Sequence, residues 1–350
     1  MTVYVLGAGA SRDAGYPLAK TLTSELFEWM KRASHDAKSY AARYAATARL
    51  LEESFAPVGN VEDLVTAVHK LIGEHENGTR EQRTRRTLIA NEYGVFKNAL
   101  RDWFAEIQAG VALRSSAYRD FARDIVAAGD YIVTFNYDVS LERELRMARK
   151  FEVGDGYGFP IEGLPGGSKT TVLKLHGSTS WLALLFGGMT SGYSAFQPGT
   201  TLGARPVIGK NELSFLGYTD AVDPRFGRGG AALPVMIFPA REKEFYFDVN
   251  TGKEYMEFWD KLWLQAKVAL QSASRVVVCG YSLLSVDERA RKHLLADPKK
   301  DTEIFVASGG DTERILQDYR EAGYSKAEAA TEIFFEKWVA RLTNSVALAQ

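Results

Sequence analysis

VYVLGAGASRDAGYP, residues 3–17, joins a short apolar run to a glycine-rich turn. The run Val3–Leu6 has the length of a strand, and a helical pattern begins near Leu18. A strand, a glycine turn and a helix in this order let backbone N–H groups face a diphosphate. The dehydrogenase pattern has a third glycine at position 12, where this chain has Arg12. The stretch therefore predicts a dinucleotide-binding loop that departs from the dehydrogenase pattern.

The composition is that of an ordinary soluble globular protein. The chain has 350 residues, of which 46% are hydrophobic and 25% charged, and its net charge is −1. This charge gives no broad basic field, so nucleic acid is not indicated as a partner. A single cysteine, Cys279, excludes a disulfide framework and a zinc site built on paired cysteines. We find neither a signal peptide nor an apolar run long enough to span a membrane, and we expect a cytoplasmic protein.

The order of elements along the chain predicts an α/β fold. Residues 18–128 show mostly helical patterns, and Asn60 precedes two acidic residues as a helix N-cap does. Short β-rich runs then alternate with helical patterns, which favours a mainly parallel sheet flanked by helices. These runs occupy residues 131–135, 171–175, 235–238, 275–279 and 303–307.

Five of the predicted strands end in small polar or glycine-bearing clusters. In an open parallel sheet, ligands bind in the crevice beyond the carboxyl ends of the strands. The five clusters are therefore expected to line one cleft. They are Gly7-Ala8-Gly9-Ala10-Ser11, Asn136-Tyr137-Asp138, His176-Gly177-Ser178, Gly280-Tyr281-Ser282 and Ser308-Gly309-Gly310-Asp311.

Several of these residue types suit catalysis or ligand binding. His176 stands at a strand end, where an imidazole can act as a general base near neutral pH, although a structural histidine is the alternative. Asn136 and Asp138 would share one face of an extended segment, or they form a turn. Ser282 and Asp287 can reach ribose hydroxyls or orient a neighbour. Asp287 also suits the first turn of a helix in SVDERARKHL.

The motifs GAGAS…AGYP, TFNYD, KLHGS, CGYSL and VASGGD follow one another in the order found in sirtuins. As a set they resemble the bacterial sirtuin-like domains that consume NAD. The resemblance implies a Rossmann-like fold in which NAD is a substrate. With a single cysteine in the chain, we expect no metal. The resemblance also implies catalytic roles for His176 as base and for Asn136 and Asp138 beside the nicotinamide ribose. The implied NAD-binding residues are Gly7, Ala8, Gly9, Ala10, Ser11, Gly280, Ser282 and Ser308, to which we add Asp287.

The chain also departs from the sirtuin protein deacylases. Deacylases carry a zinc ribbon on four cysteines, and this chain has one cysteine. Phe135 stands where their pattern has glutamine before the asparagine. Their peptide-pairing stretch is replaced by Phe238-Pro239-Ala240-Arg241, and a proline lacks the N–H that strand pairing uses. These departures argue against peptide deacylation and leave the NAD pocket intact.

The leading hypothesis is an NAD glycohydrolase that yields nicotinamide and ADP-ribose. The resemblance further implies an antiphage immune effector that acts as a homo-oligomer or with a defence partner protein. One alternative is a deacylase or an ADP-ribosyltransferase. Another is a non-enzymatic sensor of NAD or ADP-ribose, although such a sensor has no need of a base.

We expect a single sirtuin-like domain over residues 1–350 that carries additional parts. Residues 18–128 form a large helical insertion, and residues 311–350 form C-terminal helices. Residues 177–234 are rich in glycine, serine, threonine and aromatic residues, which indicates a loop-rich functional insertion. Because this stretch directly follows His176, we expect it to cover the nicotinamide side of the cleft.

Overall fold

The structure is a computed structural model. It describes residues 1–33, 43–57, 59–75, 77–111, 117–161, 164–184, 232–238, 256–285 and 287–347.

A six-stranded parallel sheet forms the centre of the molecule. The strands of the described residues are β1 (Thr2–Leu6), β2 (Tyr131–Thr134), β3 (Thr171–Lys174), β4 (Gly177–Leu184), β5 (Ala232–Met236), β6 (Arg275–Cys279), β7 (Glu303–Ala307) and β8 (Ala327–Ala329). The sheet has the order β3-β2-β1-β6-β7-β8, and every neighbouring pair in it is parallel. This is the strand order of the doubly wound dinucleotide-binding fold. In that fold the strands are added outward from the central strand, first on one side and then on the other. The predicted Rossmann-like fold is therefore confirmed.

From Val3 to Leu6 the central strand β1 is apolar and shows no alternation of polar and apolar residues. Val3, Val5 and Leu6 have no solvent exposure, because helices cover both faces of a parallel sheet. The flanking strands β2 and β6 are buried in the same way. Tyr4 packs edge to face on Phe121 with ring centroids 5.0 Å apart.

Helices supply the layers around the sheet and a separate module. They are α1 (Ala19–Ala33), α2 (Tyr44–Phe55), α3 (Val61–Glu74), α4 (Arg80–Val111), α5 (Ala117–Asp120), α6 (Ser140–Met147), α7 (Met256–Ser272), α8 (Glu288–Ala296), α9 (Thr312–Glu321) and α10 (Phe335–Ala347). A short π-helical segment (Phe121–Ile125) follows α5. None of the described helices combines the length and apolar character needed to cross a bilayer.

Helices α1–α4 form a helical module with its own apolar core, distinct from the core around the sheet. The predicted N-cap is confirmed, since Asn60 Oδ1 accepts the Asp63 N–H at 2.9 Å at the start of α3. The predicted insertion over residues 18–128 divides between the two cores. Its last part, which includes Tyr118 and Phe121, packs into the core of the sheet.

The run at residues 235–238 was expected in the parallel sheet, and the structure corrects this prediction. Strand β5 ends at Met236 and pairs antiparallel with β4 in a separate two-stranded sheet. Gly177, with a φ of +83°, turns the chain sharply after His176 and so directs β4 out of the parallel sheet. The described ends of the stretch 177–234 are therefore strands instead of loop. Residues 185–231 lie outside the described residues.

The C-terminal part also differs from its prediction. Residues 311–350 were expected to be helical, and α9 and α10 are. Between them, β8 adds a parallel edge strand to β7. This strand is hard to recognise in the sequence, because it has three residues and exposes Glu328, a common feature of short edge strands.

The separate core of the helical module yields a stability prediction. Leu26 is fully buried there, so Leu26→Ala should lower the free energy of unfolding by about 2–5 kcal/mol. Leu88 lies on α4 and is 44% exposed, and Leu88→Ala should change it by less than about 0.5 kcal/mol. Urea unfolding measures both variants, and equal midpoints would contradict the packing described.

Candidate active site

A cleft of about 520 Å³ opens at the carboxyl ends of β1, β2, β3, β6 and β7. The sheet forms one wall, and the helical module supplies residues of the other, among them Asn60, Glu62 and Phe104. All five predicted polar clusters contribute to its lining. The predicted site residues that line it are Ala8, Gly9, Ser11, Asn136, Asp138, His176, Gly280, Ser282, Asp287 and Ser308. Gly7 and Ala10 belong to the loop but do not line the cleft.

The glycine loop after β1 packs closely against the loop after β6. The Gly7 N–H donates to Cys279 O at 3.0 Å, and the Gly9 N–H donates to Gly280 O at 2.9 Å. A Cβ on Gly280 would lie 2.2 Å from the Ala10 nitrogen, which no real side chain can do. The glycines at positions 7 and 9 therefore allow two backbones to meet. Their N–H groups donate within the protein, where the sequence had suggested a diphosphate as their acceptor.

Ser11 lies at the centre of a buried hydrogen-bond network. Its hydroxyl donates to Asp138 Oδ2 at 2.7 Å and accepts from Asn136 Nδ2 at 2.9 Å. Because that hydroxyl has one hydrogen, the Tyr118 hydroxyl, 2.8 Å from Ser11 Oγ, must be a donor to it. Burial and the nearby Asp138 carboxylate raise the pKa of Tyr118 well above its ordinary value, which keeps this donor protonated.

The network decides which atoms of Asn136 remain for a ligand. Asn136 Nδ2 also donates to Gly7 O at 2.9 Å, so this amide nitrogen is fully used. Asn136 Oδ1 has no partner among the described residues and is the atom left for a ligand in the cleft.

Asp138 has both carboxylate oxygens engaged by the protein. Oδ2 accepts from Ser11, and Oδ1 accepts the Ser140 N–H at 3.1 Å at the start of α6. Its main-chain oxygen accepts from Lys174 Nζ at 2.5 Å, and Lys174 forms a fully buried ion pair with Glu142 at 2.8 Å. Asp138 therefore has the turn-forming role through Oδ1, and its Oδ2 binds Ser11 beside the cleft.

His176 lies just after β3 and is 4% exposed. Its Nε2 lies 3.0 Å from Asp287 Oδ2, at ion-pair distance but outside hydrogen-bond alignment. Phe135 packs edge-on against the imidazole at 4.9 Å and stacks on Tyr281 at 4.1 Å. The residue that replaces the deacylase glutamine is thus an apolar wall beside the imidazole.

Asp287 is the N-cap of α8, which is one of the roles that the sequence left open. Oδ1 accepts the Ala290 N–H at 3.1 Å as the N-cap of α8, and Oδ2 accepts from the Tyr281 hydroxyl at 3.1 Å. Burial alone would raise its pKa, but the adjacent His176 imidazole and these donors outweigh burial and lower the pKa of Asp287. The residue is therefore a carboxylate held by the helix terminus beside His176.

The far end of the cleft holds polar groups and an apolar surface. Ser308 Oγ is buried and has no hydrogen-bond partner among the described residues, although an unpaired buried hydroxyl is costly. Ile333 and Phe334 line the same end and are 39% and 38% exposed. Ser282 lines the cleft, and its carbonyl accepts from Arg314.

Sequence reasoning missed several residues of the site. Arg12 and Lys20 are the two cationic residues in the described lining of the cleft, and both are exposed. In the sequence, Arg12 stands out only as a departure from the dehydrogenase glycine pattern. Its place directly after the glycine loop is the feature from which its position in the cleft could have been predicted. Tyr118 lies within the predicted helical insertion, and nothing in the sequence around it indicates a place in the site. In the described part of the chain, no three His, Cys, Asp or Glu side chains group together as metal ligands would.

Solved Sir2 structures match the chain over nearly its whole length. Sir2Tm bound to a propionylated peptide is 13% identical, with a TM-score of 0.41, and the match covers 99% of this chain and 94% of that chain. A Sir2 homologue in complex with NAD is 11% identical, with a TM-score of 0.41 and coverage of 99% and 90%. No protein-family model and no curated protein matches the chain. The matched structures come from the family that the motifs resemble, while the fold itself follows from the strand order.

The contact between the two loops yields a second prediction. Gly280→Ala places a side chain at a φ of +61° and against the Ala10 nitrogen. A positive φ alone costs about 1–3 kcal/mol, and the clash adds to this cost. Gly129 has a φ of +86° with no atom within 4 Å of an added Cβ, so Gly129→Ala tests the backbone cost alone. Urea unfolding should show Gly280→Ala as clearly the less stable variant, and the reverse order would refute the close approach.

Proposed function

We propose that the protein is an NAD glycohydrolase, which converts NAD and water into nicotinamide and ADP-ribose. The observation that carries this proposal is the meeting of His176, paired with Asp287, and Asn136 in one cleft beside the glycine loop. A binding module needs the loop but has no use for a buried histidine–carboxylate pair. The sirtuin-like order of the motifs supports NAD as the substrate.

The cleft offers complementary groups for each part of NAD. Its volume lies in the range usual for small-molecule sites. Arg12 and Lys20 supply positive charge for the diphosphate, and Ser308 supplies an unpaired hydroxyl for a ribose. The exposed ring of Phe334 provides an apolar face of the kind on which an adenine can pack.

The reaction breaks the bond between C1′ of the ribose and the nicotinamide nitrogen. The electron pair of that bond leaves with the nitrogen, so a cationic pyridinium departs as a neutral molecule and needs little acid assistance. Positive charge then develops on the ribose, where the Asn136 Oδ1 dipole would stabilise it. Water forms the new bond to C1′ and gives a proton to His176, which acts as general base.

Packing on the other side of His176 favours water over a peptide as the acceptor. The Ile237 N–H donates to His176 O at 2.8 Å, and the Tyr137 hydroxyl donates to Ile237 O at 2.8 Å. The Phe238 ring packs between Tyr137 and Phe96. Ile237 thus lies against the His176 main chain, and the Tyr137 ring stacks on the imidazole with centroids 6.4 Å apart. Pro239, whose missing N–H argued against peptide pairing, lies outside the described residues.

Product analysis tests the proposal directly. Purified protein is incubated with NAD in ¹⁸O-labelled water, with and without an acetyl-lysine peptide, and the products are separated by chromatography. We expect equal amounts of nicotinamide and ¹⁸O-labelled ADP-ribose at a rate that the peptide does not change. Product formation only with peptide would indicate a deacylase, and unlabelled ADP-ribose attached to a protein side chain would indicate a transferase. Binding of NAD without any product would indicate a sensor.

We further propose the setting that the resemblance implies. The protein would act in the cytoplasm as an antiphage effector that drains cellular NAD, as a homo-oligomer or with a defence partner protein. Cellular NAD, measured after phage infection in cells with wild-type protein and with His176→Ala, tests this role. A fall in NAD that occurs equally in both would refute it.

A third prediction concerns the base. Because general-base catalysis typically contributes about 10²–10⁴ in rate, His176→Ala should lower kcat by that factor and leave NAD binding nearly unchanged. His293 is a matched control, since its Nδ1 lies 2.5 Å from Asp297 in a second histidine–carboxylate pair outside the cleft. His293→Ala should retain wild-type kcat. Turnover is measured by nicotinamide release. Wild-type turnover in both variants would contradict the assignment of His176 as the base.

A fourth prediction concerns the cationic rim. Arg12→Gln removes one exposed positive charge near the diphosphate. It should therefore raise KM for NAD about fivefold with little change in kcat. Arg32, exposed in the last turn of α1 and outside the cleft lining, is the control. Added salt should weaken NAD binding to the wild type more than to Arg12→Gln. An unchanged KM for Arg12→Gln would remove Arg12 from the site.

A further inference from the structure

We propose that Asp287 is a positioning residue that fixes the tautomer of His176, so that Nδ1 is the nitrogen that accepts the proton. This inference rests on the proposed function, because it names how its base is held. His176 Nε2 is a buried polar atom, and the nearest carboxylate oxygen, Asp287 Oδ2, lies 3.0 Å away. Because an ionised carboxylate can only accept, the nitrogen that lies beside it, Nε2, is the one that carries the hydrogen.

The assignment leaves Nδ1 as the basic atom of neutral His176. The histidine lines the cleft, and because Asp287 lies beside Nε2, Nδ1 is the nitrogen left for the cleft. After Nδ1 takes a proton from water, both ring nitrogens carry hydrogen and the ring is positive. Asp287 then stabilises this charge at short range.

Asp287 can perform this task because two hydrogen bonds hold its carboxylate in place. Oδ1 is bound to the N-terminus of α8 through the Ala290 N–H, which leaves Oδ2 for His176. The Tyr281 hydroxyl donates to Oδ2, and the Tyr281 ring stacks on Phe135. Phe135 in turn packs against the imidazole, so the same side chains hold both members of the pair.

Asp287 is the nearest charged group to the imidazole in the described structure. The other ionisable side chains beside the pair are Tyr137, from the segment after β2, and Tyr281, from the segment after β6. The Tyr137 ring stacks on the imidazole with centroids 6.4 Å apart, and the Tyr281 hydroxyl donates to Asp287. Burial, Glu62 of α3 and Asp287 raise the pKa of Tyr137 well above its ordinary value, so Tyr137 stays neutral. A change at Asp287 therefore acts on His176 without a competing charge at similar distance.

Asp287→Asn is the test variant, because asparagine can still cap α8 through its oxygen. Its amide would donate where the carboxylate accepted, which favours the opposite histidine tautomer and places hydrogen on Nδ1. We expect kcat to fall at least about 100-fold with KM within about threefold. The acid limb of the pH–rate profile should move to lower pH, because the protonated imidazole loses its stabilising charge.

Tyr281→Phe is the milder second variant, since it removes one hydrogen bond to Asp287 and keeps the stacked ring. One such bond corresponds to about a fivefold loss in kcat. Asp130→Asn is the matched control, because Asp130 is a buried carboxylate at the amino-terminal end of β2, away from the cleft. It accepts the Thr2 and Ala127 N–H groups at 2.8 and 2.9 Å. Asp130→Asn should lower thermal stability and leave the pH–rate profile unchanged.

Nitrogen NMR of the histidine ring separates this inference from the proposed function. In the wild type the His176 signal should show hydrogen on Nε2, and in Asp287→Asn it should show hydrogen on Nδ1, whether or not NAD is hydrolysed. The inference is overturned if the tautomer is the same in both proteins. It is overturned equally if Asp287→Asn keeps the wild-type pH profile and loses activity only in proportion to its folded fraction.

Discussion

The arrangement of the site depends on one close contact between two backbones. The loop after β1 and the loop after β6 meet where Gly9 donates to Gly280, at a separation that excludes any side chain on Gly280. On one side this contact sets the place of Ser11, to which Asn136 and Asp138 are bound. On the other it sets Tyr281, which leads to Asp287 and His176. Two neighbouring strands and a pair of glycines thus locate both halves of the candidate site.

The sequence reveals those parts of the fold that depend on local patterns. Unbroken apolar runs such as Val3–Leu6 and Val276–Cys279 predict strands buried on both faces, and the structure places them at the centre of the sheet. Residues that follow such strands lie at the same end of a parallel sheet. The convergence of the five polar clusters could therefore be predicted from the sequence alone. The N-cap at Asn60 is a local signal of the same kind.

The remaining features depend on contacts between distant residues, which a single sequence does not encode visibly. The apolar run that ends in Phe238 has the composition of a core strand, and only its pairing with β4 shows that it belongs to a second sheet. Strand β8 is too short and too polar to be recognised without β7 beside it. The pairing of Asp287 with His176 could not be inferred either, since each residue alone suits a simpler structural role.

The order of the strands also has a consequence for the growing chain. The central strand β1 is made long before its neighbours, and Met1 and Ser274, which are 273 residues apart, hydrogen-bond to each other beside the β1–β6 pair. Contacts between such distant residues form slowly and late. During synthesis β1 can therefore pair with β2 while its other side still lacks β6. The cleft cannot be completed before residues 275–307, which contain β6 and β7, have been made.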